Sequence, residues 1–144
     1  SYCEVGYEDK CSLILSEMMI EIFRSYKKTS SIGRESRLDF VHGELMKDYK
    51  RDWRLSDAAQ LAGYSESRLS ALYKSYFGTS PMNDLLNRRI DQAKLLLLYG
   101  NMSVNEIAEA VGFSSIFYFS KQFKRREGVS PSEYRQSKAK QKNP

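Results

Sequence analysis

Side chains that usually carry chemistry are scarce in this chain. Its 144 residues hold one histidine, His42, two cysteines, Cys3 and Cys11, and one tryptophan, Trp53. Two thiols near the start lack the companions that a zinc site needs and are too few for a disulfide framework. They read as reduced thiols, the default in a cytosolic protein. His42 sits on a charged stretch with no second ligand nearby, so it reads as a surface or packing residue. No nucleophile–base constellation can be assembled, so neither catalysis nor a metal or other cofactor is expected. No apolar run reaches the ~18 residues needed to span a membrane, and no signal peptide is visible. No stretch reads convincingly as a strand.

What is present is basic and helical. A chain of 144 residues is one domain or two small ones. The formal charge of +5 is unevenly placed. Residues 1–34 hold five Lys/Arg and five Asp/Glu, whereas residues 35–144 hold eighteen and thirteen. A cationic excess confined to one region points to a polyanionic partner.

The start, SYCEVGYEDK, shows no clear period. From Ser12, Leu15, Met18, Met19, Ile22, Phe23 and Tyr26 recur at three- and four-residue steps, which predicts one helix with a broad apolar stripe. Ser12 is its expected N-cap, and Lys27 and Lys28 suit its C-terminal dipole. Residues 29–33, TSSIG, read as a linker. The stripe cannot be stable alone; it packs on the rest of the chain or pairs with a second copy. A further helix is expected from about Glu35 to Tyr49, with Leu38, Val41, Leu45, Met46 and Tyr49 on one face. Trp53 reads as a core anchor.

The remainder repeats itself. LSDAAQLAGYSESRLSALYKSYFGTSP, Leu55 to Pro81, is echoed by VNEIAEAVGFSSIFYFSKQFKRREGVSP, Val104 to Pro131. Ala59, Gly63, Tyr64 and Ser65 correspond to Ala108, Gly112, Phe113 and Ser114 at an offset of 49. Ser70, Lys74, Gly78, Ser80 and Pro81 correspond to Ser120, Lys124, Gly128, Ser130 and Pro131 at an offset of 50. The second copy therefore carries one extra residue between Ser114 and Ser120. Two like modules are too few for a solenoid.

Each module reads as a short helix, a glycine turn and a second helix. Ser56 and Asn105 are the expected caps of the short helices, with a box of Ser103 and Glu106 as the alternative to Asn105. Ala59 and Ala108 let the two helices approach, and Gly63 and Gly112 make the turn. The long helix from Met82 to about Tyr99 joins the modules, with Leu85, Leu86, Ile90, Ala93, Leu96 and Leu97 inward. Pro81 and Pro131 suit a first helical position after capping serines. Leu69, Leu72, Tyr73 and Tyr76 should hold the second helix of the first module to its core, as Phe119 and Phe123 should in the second.

The opposite faces are then exposed. In the first module that face is Ser67, Ser70, Ala71 and Lys74, with Glu66 and Arg68 at its edges. In the second it is Phe117, Ser120, Lys121 and Lys124. A small-polar and basic helix face suits a DNA major groove, which just admits an α-helix. Lysine donates to guanine O6 and N7, serine serves either base type, and Phe117 can touch a thymine methyl, or else it and Tyr118 are core aromatics. Arg88, Arg89, Arg125, Arg126 and Arg135 are candidates for phosphate contacts, with Arg68, Lys74 and Lys124 beside them.

Residues 35–135 resemble the DNA-binding region of the AraC/XylS family of bacterial transcription regulators. The likeness runs through Ile107, Ala108, Gly112, Phe113, Tyr118, Phe119, Phe123, Lys124, Gly128, Pro131, Tyr134 and Arg135, and through Arg89, Ala93, Leu96 and Leu97 in the joining helix. It implies an all-α fold of about seven helices, besides the N-terminal amphipathic one, whose two recognition helices enter successive major-groove segments. It implies Ser67, Ser70 and Ala71 as base contacts of the first and Phe117, Ser120 and Lys121 of the second. Ala71 departs from the family, which often has a longer polar or basic residue there. Residues 1–34 resemble the end of a sensing or dimerisation domain, with 12–28 a possible homodimer helix. Residues 35–138 would be the tandem DNA-binding domain and 139–144 a disordered tail. The resemblance also implies a cytoplasmic activator that touches RNA polymerase. The competing reading is a helical protein-interaction module whose exposed faces bind another protein. A third class, DNA-repair methyl acceptors that carry a similar region, lacks its cysteine-rich part here.

Overall fold

The computed structural model describes residues 5–141, with side chains at 15–25 and 33–137. It contains seven helices among the described residues and no strand. These are α1 (Val5–Lys47), α2 (Leu55–Ala62), α3 (Glu66–Phe77), α4 (Pro81–Tyr99), α5 (Val104–Ala110), α6 (Ile116–Glu127) and α7 (Pro131–Gln141). The all-α expectation holds. Cys3 lies outside the described residues, and so does the side chain of Cys11.

The chain divides into two compact units, residues 1–37 and 38–144. In the first, the backbone stays helical through 29–33, so the expected linker is helix and Ser12 is not a cap. Serine, threonine and one glycine weaken a helix by less than ~1 kcal/mol each, and only proline would have stopped it. Leu15, Met18, Met19, Ile22 and Phe23 are all at least half exposed. The Tyr26 side chain lies outside the described residues.

In the second unit, Leu38, Val41 and Leu45 are buried and Met46 and Tyr49 partly so, as their spacing predicts. Trp53 is 5% exposed and its Nε1–H donates to the Asp48 carbonyl at 2.8 Å. It is thus a core anchor with its one polar group satisfied. Two cores form. The first gathers Leu38, Val41, Leu45 and Trp53 with the alanines of α2, Leu69 and Tyr73 of α3, and Leu85. The second gathers Ile90, Ala93 and Leu97 of α4 with Ile107, Ala108, Val111, Phe113, Phe119 and Phe123. The connecting helix α4 therefore contributes to both, with Met82 and Leu85 in the first and Leu86, Ile90, Ala93, Leu96 and Leu97 in the second.

Helix starts follow side-chain caps, with two changes from the expected ones. Arg54, not Ser56, stands before α2; its N–H donates to the Asp57 carboxylate at 2.9 Å, which starts the helix two residues early. Ser103, not Asn105, caps α5, in a box where Ser103 N–H donates to Glu106 at 2.7 Å. Ser130 N–H donates in the same way to the Glu133 carboxylate before α7. Those backbone N–H donors hold both carboxyls below their ordinary range. Ser65, Ser80 and Ser115 cap α3, α4 and α6. Because Ser115 is the structural partner of Ser65, the extra residue of the second module lies in the turn itself, at Ser114. Residues 139–141, expected to be a disordered tail, continue α7 instead. Ala, Lys and Gln are good helix formers. Residues 142–144 lie outside the described residues.

Candidate nucleic-acid interface

Helices α3 and α6 have twelve residues each and the same design. A serine caps the start, and a glycine at positive φ, Gly78 or Gly128, ends the helix. One stripe of each is buried: Leu69 and Tyr73 in α3, Phe119, Gln122 and Phe123 in α6. Leu72 packs partly on the first core, whereas Tyr76, expected there, is 45% exposed. It lies on the same side of the helix, seven residues past Leu69, but in the last turn of α3, and packs edge-on against Phe77.

The opposite stripes face solvent. Along α3, Glu66, Ser67, Arg68, Ala71 and Lys74 are exposed and Ser70 is partly so. Along α6, Phe117, Lys121, Lys124 and Arg125 are exposed and Ser120 is partly so. Phe117 is 85% exposed, which rejects the core-aromatic alternative for it; Tyr118 is half exposed against Phe113. A phenylalanine held in water at the first turn of a capped helix gains nothing for folding.

The cations sort into two groups. Lys74, Lys121, Lys124 and Arg125 are exposed, and Arg68 lies over the Tyr64 ring at 5.2 Å. Arg89, Arg126 and Arg135 are engaged inside the fold. Arg89 Nε donates to the Tyr49 carbonyl and its Nη2 to that of Arg51, both at 2.7 Å. Arg135 Nη2 donates to the Met102 carbonyl at 2.6 Å. Arg126 donates to Asn83, Asn87 and Gln122. Burial lowers the pKa of Arg89 and Arg126, with Arg125 adding repulsion at the latter. Arg88 lies over Tyr49 at 5.4 Å with its Nε buried and without a hydrogen bond. Arg89, Arg126 and Arg135 thus spend guanidinium N–H donors on their own fold, whereas Arg88 shows a contact with the Tyr49 ring.

Sequence reasoning also missed the network under α3. The Tyr73 hydroxyl donates to Asp84 Oδ2 at 2.8 Å. His42 Nδ1 lies 2.8 Å from that hydroxyl and 3.1 Å from the carboxylate, with its ring stacked on Phe77 at 4.7 Å. Burial, then the bond to Asp84, raises the Tyr73 phenol well above its ordinary value. It therefore stays a donor and locks α3 to α4. The packing reading of His42 agrees with this. No group of three or more metal-ligating side chains occurs among the described residues, and no described helix is long and apolar enough to cross a membrane.

Residues 58–137 match the sequence pattern of a helix-turn-helix domain family. The HTH-type transcriptional regulator ExsA of Pseudomonas aeruginosa is 40% identical over 94 residues, 65% of this chain and 34% of that protein. The virulence regulon transcriptional activator VirF of Yersinia enterocolitica is 38% identical over 94 residues, 65% of this chain and 35% of that one. The chain thus spans about a third of the length of these curated relatives. Among solved structures, the DNA-binding domain of the global transcriptional factor AdpA, in complex with a target DNA, superposes with a TM-score of 0.69 at 27% identity, over 74% of this chain and 97% of that one. The C-terminal domain of the response regulator yesN from Fusobacterium nucleatum gives 0.65 at 33% identity, over 67% and 95%.

Proposed function

Since the chain belongs to the AraC-type helix-turn-helix family, we propose that it regulates transcription by reading two successive major-groove segments of double-stranded DNA with α3 and α6. The observation that carries this is the exposed stripe on each helix. Both stripes sit opposite a buried one, both are free of carboxylate except Glu66, and both end in lysine. Glu66, Ser67, Ser70 and Ala71 are the base-facing residues of α3, and Phe117, Ser120 and Lys121 those of α6. Glutamate accepts from cytosine N4, lysine donates to guanine and Phe117 covers a thymine methyl. Arg68, Lys74, Lys124 and Arg125 supply the phosphate contacts.

In this reading the protein is a cytoplasmic, bacterial, non-enzymatic activator that touches RNA polymerase. Residues 1–34 close a sensing or dimerisation domain, and the exposed stripe of residues 15–23 pairs with a second copy. The connecting helix of 19 residues spans ~28 Å at 1.5 Å per residue. Grooves one turn apart are ~34 Å apart, so helix diameter and DNA bending make up the rest.

Selection of bound duplexes from a random pool tests this. Two short conserved blocks about one turn apart are expected, and a pool returned without preference would reject sequence reading. Lys121→Ala is expected to weaken binding to the selected duplex by ~1–3 kcal/mol and to relax one position. An equal loss on every sequence would make Lys121 a phosphate contact instead.

A further inference from the structure

The two cores are separate, and few links join them. Helix α4 serves both. The segment 49–51 also reaches both: Tyr49 packs on each core, Arg89 holds its carbonyls, and Gly112 lies close to Lys50. The third link is Arg126, in the last turn of α6. Its guanidinium reaches back toward the start of α4, where Met82 and Leu85 pack in the first core. Nε donates to Asn87 Oδ1 and Nη2 to Asn83 Oδ1, both at 2.7 Å. Nη1 donates to Gln122 Oε1 of its own helix at 2.8 Å, which holds the fork in place.

Asn83 stands in the first turn of α4, directly after α3 and its capped turn. Arg126 therefore ties the second recognition helix to the root of the first. Beside this tie α4 and α6 border a crevice of about 500 Å³ lined by Met82, Leu86, Tyr118 and Arg125 as well as the fork. The ion pair of Lys94 with Glu127 at 3.1 Å does not replace it, because Lys94 lies in the half of α4 that belongs with the second core. All three acceptors of the fork are neutral amide oxygens. They fix direction without cancelling charge.

We propose that Arg126 is a positioning residue, a brace that sets how α6 is turned relative to α3 and so how many base pairs the protein accepts between its two segments. This rests on the DNA reading proposed above. One inserted base pair moves the second segment by ~3.4 Å and turns it by ~34°. A braced pair of helices cannot follow that change, whereas a pair joined only through α4 and the segment 49–51 can twist toward it.

The test uses the full chain and the selected duplex, with versions carrying one base pair more or fewer between the two blocks. The readout is the ratio of Kd values between altered and original spacing. The wild-type ratio is expected to be ~10-fold or more, comparable to a mismatched base pair. In Asn83→Ala/Asn87→Ala, which changes no charge, and in Arg126→Met, it is expected to fall to roughly 3-fold or less. Cooperative thermal melts confirm that each variant is folded, and either variant alone decides the matter. An unchanged ratio in the folded variants overturns the brace, and so does a wild type indifferent to spacing. If Arg126→Met weakens all duplexes equally with a flatter salt dependence, and the double alanine variant does nothing, Arg126 is a phosphate contact. If the wild type binds no duplex, the DNA reading falls and takes the brace with it.

Discussion

Replacing Gly112 with alanine is expected to destabilise the unit 38–144 by ~3 kcal/mol or more, whereas Gly63→Ala costs about 1 kcal/mol. The two glycines hold the same place in their modules, and both have positive φ, +96° at Gly112 and +68° at Gly63. Backbone strain alone would make the costs similar. The difference is space. A Cβ at Gly63 would meet nothing within 4 Å, but at Gly112 it would lie 2.8 Å from the Lys50 carbonyl oxygen and 2.9 Å from the Lys50 Cα. Both are backbone atoms, which cannot swing aside as a side-chain tip would. Relief must come by moving the turn of the second module away from the segment that holds Trp53. Urea unfolding of both variants measures the contrast. Equal losses would show that the turn is free to shift, and that the close approach at Lys50 constrains nothing.

Binding to the selected duplex is expected to weaken on the order of 10²-fold between 50 and 200 mM salt. The size follows from four exposed cations, Arg68, Lys74, Lys124 and Arg125, each releasing about 0.9 of a counterion on meeting a phosphate. Sorting the arginines sharpens this. Arg125→Ala should lower the slope of log K against log salt by about 1. Arg89→Met should leave the slope unchanged and instead cost about 1.5–3 kcal/mol of folding stability, since its two charged hydrogen bonds hold the carbonyls of Tyr49 and Arg51. A flat salt response would favour a protein as the ligand of these helix faces. A reduced slope in Arg89→Met would mean that its guanidinium leaves the carbonyls for the DNA.

The repeat was legible because its punctuation is written in residue types. Turn glycines, capping serines and first-turn prolines recur at fixed offsets, and the apolar positions between them follow the helical period. The candidate stripes were legible for the same reason, as the solvent positions of Ser67 and Lys121 attest. What escaped was settled by contacts distant in sequence. Arg89 and Arg126 look like any basic helix residue until partners some forty positions away are known. His42, Tyr73 and Asp84 are likewise joined only by folding. Other misses were local competitions. Ser56 offers a hydroxyl, but the Asp57 carboxylate accepts from Arg54 N–H, two residues earlier, and α2 starts at Leu55. Residues 29–33 lack proline, so nothing in them forbids helix.

The solitary indole sits in one core and not in the other. Its fluorescence is therefore a private signal of the first module, muted to events around Phe119 and Phe123, whereas far-ultraviolet circular dichroism hears every helix at once. Heating the protein while recording both asks whether the halves melt together. Superimposed curves would mean that a single cooperative transition runs the length of α4; a gap between them would mean that the distal half comes apart by itself.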